Sequence, residues 1–440
     1  MKTSAPDRTE TAPAPAPAPA PTPTPAPARV DAATWPDVAR APRASAARTA
    51  LTRLLVRRAL ASLPLRVALG DAPVTGTEGP LLRVHDPDAF FRRIGADGLI
   101  GFGESYMAGE WDTDELVAAL TVLASHLTAL VPRPLQRLRG AWAHRRPHGQ
   151  RNTPEGARDN IHRHYDLSND LFALFLDRTM TYSSALFRKR PAAWSELAGA
   201  QHRKIDRLLD LAGVGEGTRL LEIGTGWGEL ALRAAARGAR VVSVTLSQEQ
   251  RALAMARLAE AGYADRVSVE LCDYREVTGV HDAVVSVEMI EAVGADYWPV
   301  YFETLRRLVA PGGRIALQAI TMPHDRMRAT RTTYTWIHKY IFPGGLIPSV
   351  RAVEECAAGA GLRVQGNDGF GGHYAETLRL WRERFTEQHA AVGALGFDAV
   401  FRRMWEFYLA YSEAGFRAGY LDVRQLLLTS AGTSQDGGPR

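Results

Sequence analysis

A nine-residue run, 220–228, constrains the fold of this 440-residue chain more than any other feature. An apolar segment contains the acid Glu222 near its end and leads into three alternate glycines, Gly224, Gly226 and Gly228. Such a segment is typical of a buried parallel strand that ends in a tight turn. Alternate glycines let a ligand lie against bare backbone at the carboxyl end of the strand. The run therefore predicts a binding site for a nucleotide-like ligand.

The glycine spacing and Glu222 indicate which ligand this is. Dinucleotide-binding folds favour Gly-x-Gly-x-x-Gly, which brings the amides of a helix N-terminus to a pyrophosphate. A carboxylate at the strand tip would repel pyrophosphate, but it can accept a hydrogen bond from an ammonium group. S-adenosylmethionine (AdoMet) carries an amino acid and a sulfonium and no phosphate. The pattern therefore favours AdoMet over NAD or FAD.

Later segments predict an α/β fold with a doubly wound parallel sheet. Residues 240–245 read as a second strand, and the sequence from Ser247 to Gln250 reads as a capping box that starts a helix. Helical patterns then alternate with three further apolar runs, 267–271, 283–287 and 314–320. This alternation is typical of βαβ units.

Three polar residues are predicted to contact the nucleoside. The second strand has no acid at its tip to bind a ribose, which leaves Thr245 and Gln250 as the groups that can reach the ligand. Asp273 follows the third strand and is placed to meet the adenine amine. A solvated loop acid is an equally good interpretation of Asp273.

The length of the chain predicts two domains and a tail, because 440 residues exceed what one core usually supports. Ala-Pro repeats near the start can bury nothing. The predicted boundaries are a disordered tail over 1–34, a smaller N-terminal domain over 35–150, a catalytic domain over 151–430 and a disordered tail over 431–440.

Composition predicts a cytoplasmic protein. No apolar stretch reaches the roughly 18 residues that a spanning helix needs, and the start of the chain lacks the pattern of a signal peptide. Only two cysteines are present, Cys272 and Cys356, so no disulfide framework is expected. Neither cysteine has the spacing of a metal site, and no metal is predicted.

Positive charge is concentrated in two segments before the glycine run. Residues 40–66 hold seven arginines and no acid, and residues 133–151 hold six under the same condition. Mixed with apolar residues, such segments can lie on an anionic bilayer. A nucleic-acid surface and a solvated helix face are the alternatives that charge alone leaves open.

Two further stretches, 160–170 and 180–187, mix aromatic with hydrogen-bonding groups in loop-like settings. That mixture suits a lid over a cofactor. Taken singly, residues such as His164 and Tyr165 are more often structural than catalytic.

These stretches and the glycine run together resemble the cyclopropane-fatty-acyl-phospholipid synthases, which use AdoMet to add a methylene to the double bond of a membrane lipid's acyl chain. The similarity spans about 86–429, and residues 103–111 resemble the N-terminal domain of the longer bacterial members. The matching motifs are His164-Tyr165-Asp166 with Asn169, Met180-Thr181-Tyr182-Ser183, 222–228, Thr245-Leu246-Ser247 with Gln250, and 340–345 with Pro348-Ser349.

The resemblance implies a Rossmann-like class I AdoMet-dependent methyltransferase fold and a role for each cofactor-binding residue. It implies that Tyr182 and Ser183 close over AdoMet and that Thr245 and Gln250 meet its ribose. The glycine loop holds the methionine end, through Glu222, Gly224, Gly226 and Gly228.

The resemblance also implies a set of catalytic residues. In this family a cysteine, a glutamate, a histidine and a tyrosine hold a bicarbonate ion at the reacting centre. Glu291 and Tyr374 match the glutamate and the tyrosine, whereas Ser184 stands at the cysteine position and Gln318 at the histidine position. Glutamine cannot act as a base near neutral pH. A methylene-branched product and a cyclopropane ring with bicarbonate retained are therefore both open.

The expected function is AdoMet-dependent transfer of one carbon to an unsaturated phospholipid acyl chain, giving a ring or a branch of the 10-methylene stearoyl type. In this interpretation Glu291 supplies negative charge to a carbocation. The predicted partners are an anionic membrane surface on the inner face of the cell membrane, bound through the arginine-rich segments, and no nucleic acid. The resemblance implies a homodimer and, for a methylene product, a downstream reductase. A methyltransferase that acts on another small molecule or on tRNA is the alternative.

Overall fold

The computed structural model describes residues 29–126, 153, 156 and 168–431. The second arginine-rich segment, the stretch from His164 to Asp166, most of the predicted N-terminal tail and nearly all of the predicted C-terminal tail lie outside these residues. Among the described helices, none has the length and hydropathy to cross a membrane.

Over residues 29–126, the N-terminal part of the chain, the structure describes a small three-stranded sheet and five helices. Its strands β1 to β3 pair in sequence order, with β1 and β2 parallel and β3 antiparallel to β2. The strands are β1 Arg66–Leu69, β2 Leu81–Val84 and β3 Trp111–Asp112. The helices are α1 Pro36–Ala39, α2 Ala46–Ala61, α3 Pro87–Asp97, α4 Leu99–Met107 and α5 Leu116–Ser125.

Residues 168–431 are called the catalytic part, after the prediction for this region. This part is built on a seven-stranded sheet in the order β6-β5-β4-β7-β8-β10-β9. Its strands are β4 Arg219–Ile223, β5 Arg240–Thr245, β6 Val267–Leu271, β7 His281–Val287, β8 Val309–Thr321, β9 Leu362–Gly369 and β10 Asp422–Ser430. All five apolar runs that the sequence indicated form strands β4 to β8, and these five are parallel. This confirms the predicted Rossmann-like class.

The sheet is not wholly parallel, which differs from the prediction. β10 is antiparallel to both β8 and β9. β10 can pair in the antiparallel direction because the chain reverses its direction in the helices that precede this strand. Since β10 lies between β8 and β9, the last segment of the chain is part of the core that carries the site.

Helices cover both faces of the large sheet. They are α6 Asn169–Phe175, α7 Leu197–Ala212, α8 Glu229–Ala236, α9 Gln248–Glu260, α10 Ile290–Val293, α11 Trp298–Leu308, α12 His324–Thr330, α13 Trp336–Tyr340, α14 Val350–Gly359, α15 Gly371–Glu387, α16 His389–Ala394 and α17 Ala399–Arg417. As predicted, Ser247 caps α9, and its side chain accepts a hydrogen bond from the Gln250 amide. The aromatic side chains of α15 and α17 lie mainly in the core, Trp381 and Trp405 among them.

Buried polar contacts fix the N-terminal part to the catalytic part. On α17, Arg403 is buried and donates to the carbonyl oxygens of Tyr106 and Trp111 at 2.7 and 3.1 Å. On α4, Glu104 is buried and accepts from the Tyr340 hydroxyl at 2.8 Å. A buried charged group is costly unless it is paired, so these contacts fix the orientation of the two parts. The loop after α13, which reaches the catalytic site, is thereby held from the N-terminal side.

Candidate active site

The glycine run forms a turn at the carboxyl end of β4, as its sequence predicts. Gly224, Gly226 and Gly228 have φ values of +98°, +53° and +89°, a region that side-chain-bearing residues rarely adopt. A Cβ on Gly226 would meet nothing within 4 Å, so this position faces open space in the cavity. A Cβ on Gly228 would lie 3.0 Å from the Cβ of Ala254, so Gly228 permits close packing of α9.

One cavity gathers most of the residues predicted to bind AdoMet. It is lined by Tyr182, Ser183, Glu222, Gly224, Gly226, Thr245 and Gln250. Gly228, which was also predicted to bind the cofactor, is not in the lining and packs against Ala254 of α9 instead. Asp273 is also outside the lining, because the backbone and the guanidinium of Arg275 take up its carboxylate, with a shortest contact of 2.6 Å. Its neighbours Cys272 and Tyr274 reach the cavity instead.

Glu222 lies buried at the tip of β4 with hydroxyl neighbours. Its Oε2 accepts from Ser243 Oγ at 2.6 Å, and Ser243 Oγ lies 2.7 Å from the Thr225 hydroxyl. Burial raises the pKa of Glu222 to about 8, although Ser243 and the charge of Lys204 both act to lower it. A ligand ammonium beside this carboxyl would favour its charged form. The Glu222 carboxylate is therefore a suitable acceptor for the amino group of AdoMet.

Lys204, which the sequence analysis did not single out, provides the opposite charge in the same cavity. It lies on α7 and is buried, and its Nζ donates to Ser183 Oγ at 2.6 Å. Burial lowers the pKa of Lys204 to about 8, against the raising effect of Glu288, Asp177 and Glu222. A buried acid and a buried ammonium in one cavity match the two charged ends of a free amino acid.

Three of the four predicted catalytic residues converge on a carboxylate that the sequence analysis did not single out, that of Glu288. The Ser184 amide and Gln318 Nε2 donate to Glu288 Oε1 at 2.9 and 2.8 Å. The Tyr374 hydroxyl donates to Glu288 Oε2 at 2.6 Å. Glu288 also lines the cavity that gathers the predicted AdoMet-binding residues, so this cluster borders the predicted cofactor site.

Burial and the polar neighbours of Glu288 have opposite effects on its pKa. Burial raises the pKa of Glu288, whereas the Tyr374 hydroxyl, the charge of Lys204, the Ser184 amide and Gln318 act to lower it. Burial and the Glu288 charge raise the pKa of Tyr374 well above its ordinary value. Tyr374 therefore stays a neutral phenol and keeps the proton that it donates to Glu288.

Glu291, the fourth predicted residue, lies one turn further on in α10. One of its carboxyl oxygens accepts from the Ile320 amide, and the other is buried without a hydrogen-bond partner among the described residues. Burial and the charge of Glu288 raise the pKa of Glu291 to about 8. Burial raises the pKa of both carboxyl groups, but at Glu288 the Tyr374 hydroxyl, the Gln318 amide and the charge of Lys204 oppose this effect, so Glu288 is the better suited of the two to carry a negative charge.

Aromatic contacts enclose the same region. The hydroxyl groups of Tyr182 and Tyr408 lie 2.6 Å apart, and the ring of Phe342 lies edge-on to that of Tyr408 at 5.7 Å. The loop containing Phe342 is fixed to the site because the Leu346 amide donates to the Glu291 carbonyl oxygen at 2.7 Å. At the start of α6, Asn169 Oδ1 accepts a hydrogen bond from Trp227 Nε1 at 2.7 Å. This contact fixes α6 against the glycine loop.

Comparisons with known proteins agree with this arrangement. Residues 152–426 match the family model described as mycolic acid cyclopropane synthetase. The chain is 57% identical over 415 residues to the tuberculostearic acid methyltransferase UfaA1 of Mycobacterium tuberculosis, covering 92% of this chain and 97% of that protein. It is 32% identical over 361 residues to the cyclopropane-fatty-acyl-phospholipid synthase of Escherichia coli, covering 81% and 89%.

A solved structure supports the same assignment. The mycolic acid cyclopropane synthase CmaA1 complexed with SAH and CTAB superposes with a TM-score of 0.57 at 32% identity, covering 64% of this chain and 98% of that one. The matched family model, these relatives and the site geometry lead to one conclusion. The chain belongs to the mycolic acid cyclopropane synthetase family and is an AdoMet-dependent methyltransferase.

Proposed function

We propose that this enzyme methylates the double bond of an unsaturated acyl chain in a membrane phospholipid and releases a methylene-branched chain. The convergence of Ser184, Gln318 and Tyr374 on the Glu288 carboxylate is the observation that carries this proposal. The names of the relatives, a tuberculostearic acid methyltransferase and a cyclopropane-fatty-acyl-phospholipid synthase, support an acyl chain as substrate. They do not favour the alternative small-molecule or tRNA substrates.

The site is suited to stabilise a carbocation. Bound AdoMet supplies a methyl group on positively charged sulfur. The alkene attacks this carbon, the carbon–sulfur bond breaks with its electron pair left on sulfur, and the neighbouring alkene carbon becomes cationic. Such a cation needs nearby negative charge or aromatic faces and protection from water. Glu288 supplies the charge, and Tyr374 and Tyr182 supply aromatic faces.

The timing of proton loss selects the product. Immediate loss of a proton from the transferred methyl group lets the electron pair of the broken C–H bond close a cyclopropane ring. If a hydride first moves from the methylated carbon to its neighbour, the cation becomes tertiary. Loss of a proton from the transferred methyl group then leaves a methylene branch on the chain. Three hydrogen bonds to Glu288 act to lower its pKa against the raising effect of burial, so they make it a weaker base than burial alone would. A weaker base gives the hydride shift time to occur.

Analysis of the lipid product tests this proposal. We expect phospholipid from a host that expresses the enzyme to show the downfield proton NMR signals of a vinylidene group. Because ring and branch have the same mass, mass spectrometry alone does not separate them. Cyclopropane protons upfield of zero, without vinylidene signals, would contradict the methylene product.

Access to a phospholipid requires a membrane-facing surface, which we propose to be α2. The side chains of Leu51 and Leu54 are 57% and 66% exposed on this helix, and Arg57 and Arg58 are exposed beside them. Apolar side chains interspersed with arginines suit an anionic interface. We therefore propose that the enzyme acts at the inner face of the cell membrane.

Charge reversal on α2 tests the membrane surface. We expect the double variant Arg57→Glu and Arg58→Glu to bind anionic vesicles at least roughly 30-fold more weakly, since each arginine contributes about 1 kcal/mol near such a surface. Co-sedimentation with phosphatidylglycerol vesicles at low salt measures the effect. The matched control reverses Arg240 and Arg306, two exposed arginines of the catalytic part. Equal binding by both double variants would rule out α2 as the contact.

Two partners complete the proposal. A methylene-branched chain is an alkene that a reductase can saturate, so we propose a reductase as the enzyme that consumes the product. We also propose a homodimer, which rests on the family resemblance.

A further inference from the structure

The Glu288 carboxylate is held as a bound anion would be held. Its Oε1 accepts from the Ser184 amide and Gln318 Nε2, and its Oε2 accepts from Tyr374. Carboxylate and bicarbonate share a planar group with two acceptor oxygens. We propose that the Glu288 carboxylate occupies the place that the family resemblance assigns to bicarbonate and serves as the reaction's base, so that catalysis does not require bicarbonate. This inference rests on the proposed function.

The orientation of Gln318 supports this assignment. Gln425 Nε2 donates to Gln318 Oε1 at 3.0 Å, so the amide NH₂ of Gln318 points to Glu288. The backbone carbonyl of Gln318 accepts from the Glu288 amide at 2.7 Å, so Gln318 contacts both the backbone and the side chain of Glu288. A glutamine is therefore suited to this position as a fixed donor to a carboxylate, although it cannot act as a base itself.

The backbone of Glu288 points the same way. Its φ is +50°, in the left-handed region that a non-glycine residue rarely adopts. Strained residues of this kind cluster at functional sites, where the surrounding structure holds them in place. Glu288 directly follows β7, so the strained turn presents its side chain to the cavity at the carboxyl edge of the sheet.

Charge balance around Glu288 also supports an anion at this point. Lys204 acts to lower the pKa of Glu288, and the Glu288 charge in turn raises the pKa of Glu291. Although burial raises the pKa of Glu288, an ionised Glu288 is balanced by the ammonium of Lys204, and bicarbonate beside it would add a second buried negative charge.

The proposed step is balanced in atoms and electrons. A Glu288 oxygen takes a proton from the methyl group that the acyl chain has gained, and the electron pair of that C–H bond becomes the new carbon–carbon π bond. Glu288 becomes a neutral carboxylic acid. It returns to the carboxylate when this proton leaves to solvent, so the net products are the methylene lipid, the demethylated cofactor and one proton.

The experiment measures transfer of labelled methyl from AdoMet to oleoyl phospholipid vesicles, with and without bicarbonate in buffers kept free of carbon dioxide. The wild-type rate is expected to change less than twofold when bicarbonate is removed. The Glu288→Gly variant is expected to lose roughly 100-fold without bicarbonate, because a general base contributes about 10²–10⁴. Added bicarbonate or formate is expected to restore at least tenfold. Glycine also tolerates the positive φ.

Controls separate this inference from the function on which it rests. Calorimetric AdoMet binding by Glu288→Gly verifies that the variant is folded, and Glu303→Gln, at an exposed position on α11, should behave as wild type. A wild-type rate that collapses without bicarbonate would overturn the inference and leave the proposed function intact. Full activity of Glu288→Gly without bicarbonate would overturn it as well. No transfer to oleoyl lipid under any condition would instead refute the proposed function.

Discussion

Replacing Glu288 by glutamine is expected to slow methyl transfer by roughly 10²–10³-fold at pH 7, the range measured when one group that stabilises a transition-state charge is removed. Glu291→Gln is expected to slow it by less than about fivefold. Glutamine has nearly the shape of glutamate but carries no charge and cannot accept the proton. Because Glu291 is already protonated at neutral pH, the same substitution there changes much less.

Single-turnover transfer from labelled AdoMet to oleoyl phospholipid measures both variants, with AdoMet affinity determined by calorimetry for each. Each variant serves as the control for the other, since both remove one carboxyl group from neighbouring positions. The assignment of the negative charge to Glu288 would be wrong if Glu291→Gln proved the slower enzyme.

Replacing Lys204 by methionine is expected to weaken AdoMet binding by roughly 10- to 100-fold, because a hydrogen bond to a charged group contributes about 1.5–3 kcal/mol. Methionine fills a similar volume and removes the ammonium that lies beside Ser183. We assign this ammonium to the carboxylate of the AdoMet amino acid, opposite Glu222, which takes the amino group.

Isothermal titration calorimetry with AdoMet measures this effect. Lys189→Met, which changes an exposed lysine in the same way, is the matched control and should bind as wild type does. The assignment fails if Lys204→Met and Lys189→Met bind AdoMet equally well, and Lys204 would then be a structural counter-ion of the buried acids.

Much of the cavity lining that we propose to hold AdoMet could be identified from the sequence, because those residues lie close together in the chain. Glu222, Gly224 and Gly226 lie in one run, and the apolar strand before them fixes where the turn must fall. The strand prediction succeeds for the same reason, since each buried parallel strand is a continuous apolar segment. Sequence reasoning is less able to anticipate β10, because its antiparallel place between β8 and β9 depends on the path of the chain through the six helices α12 to α17.

The cluster around Glu288 could not be predicted in the same way. Its donors come from positions 184, 318 and 374, which meet only in the folded chain. Resemblance directed attention to Glu291, three residues further on, and sequence patterns do not reveal a positive φ at Glu288. Lys204 offered a better signal, because it shares the apolar face of α7 with Ala200 and Leu208. A charged residue on such a face requires a partner.

Deuterium at both alkene carbons of an oleoyl phospholipid provides the most direct test of the central claim, that the carbocation rearranges before the site removes a proton. After reaction with AdoMet carrying a ¹³C methyl group, NMR locates the label and both deuterium atoms. We expect a ¹³C-labelled vinylidene carbon, with both deuterium atoms on the one chain carbon next to the branch point. A labelled ring carbon, with one deuterium on each of its two neighbours, would contradict it.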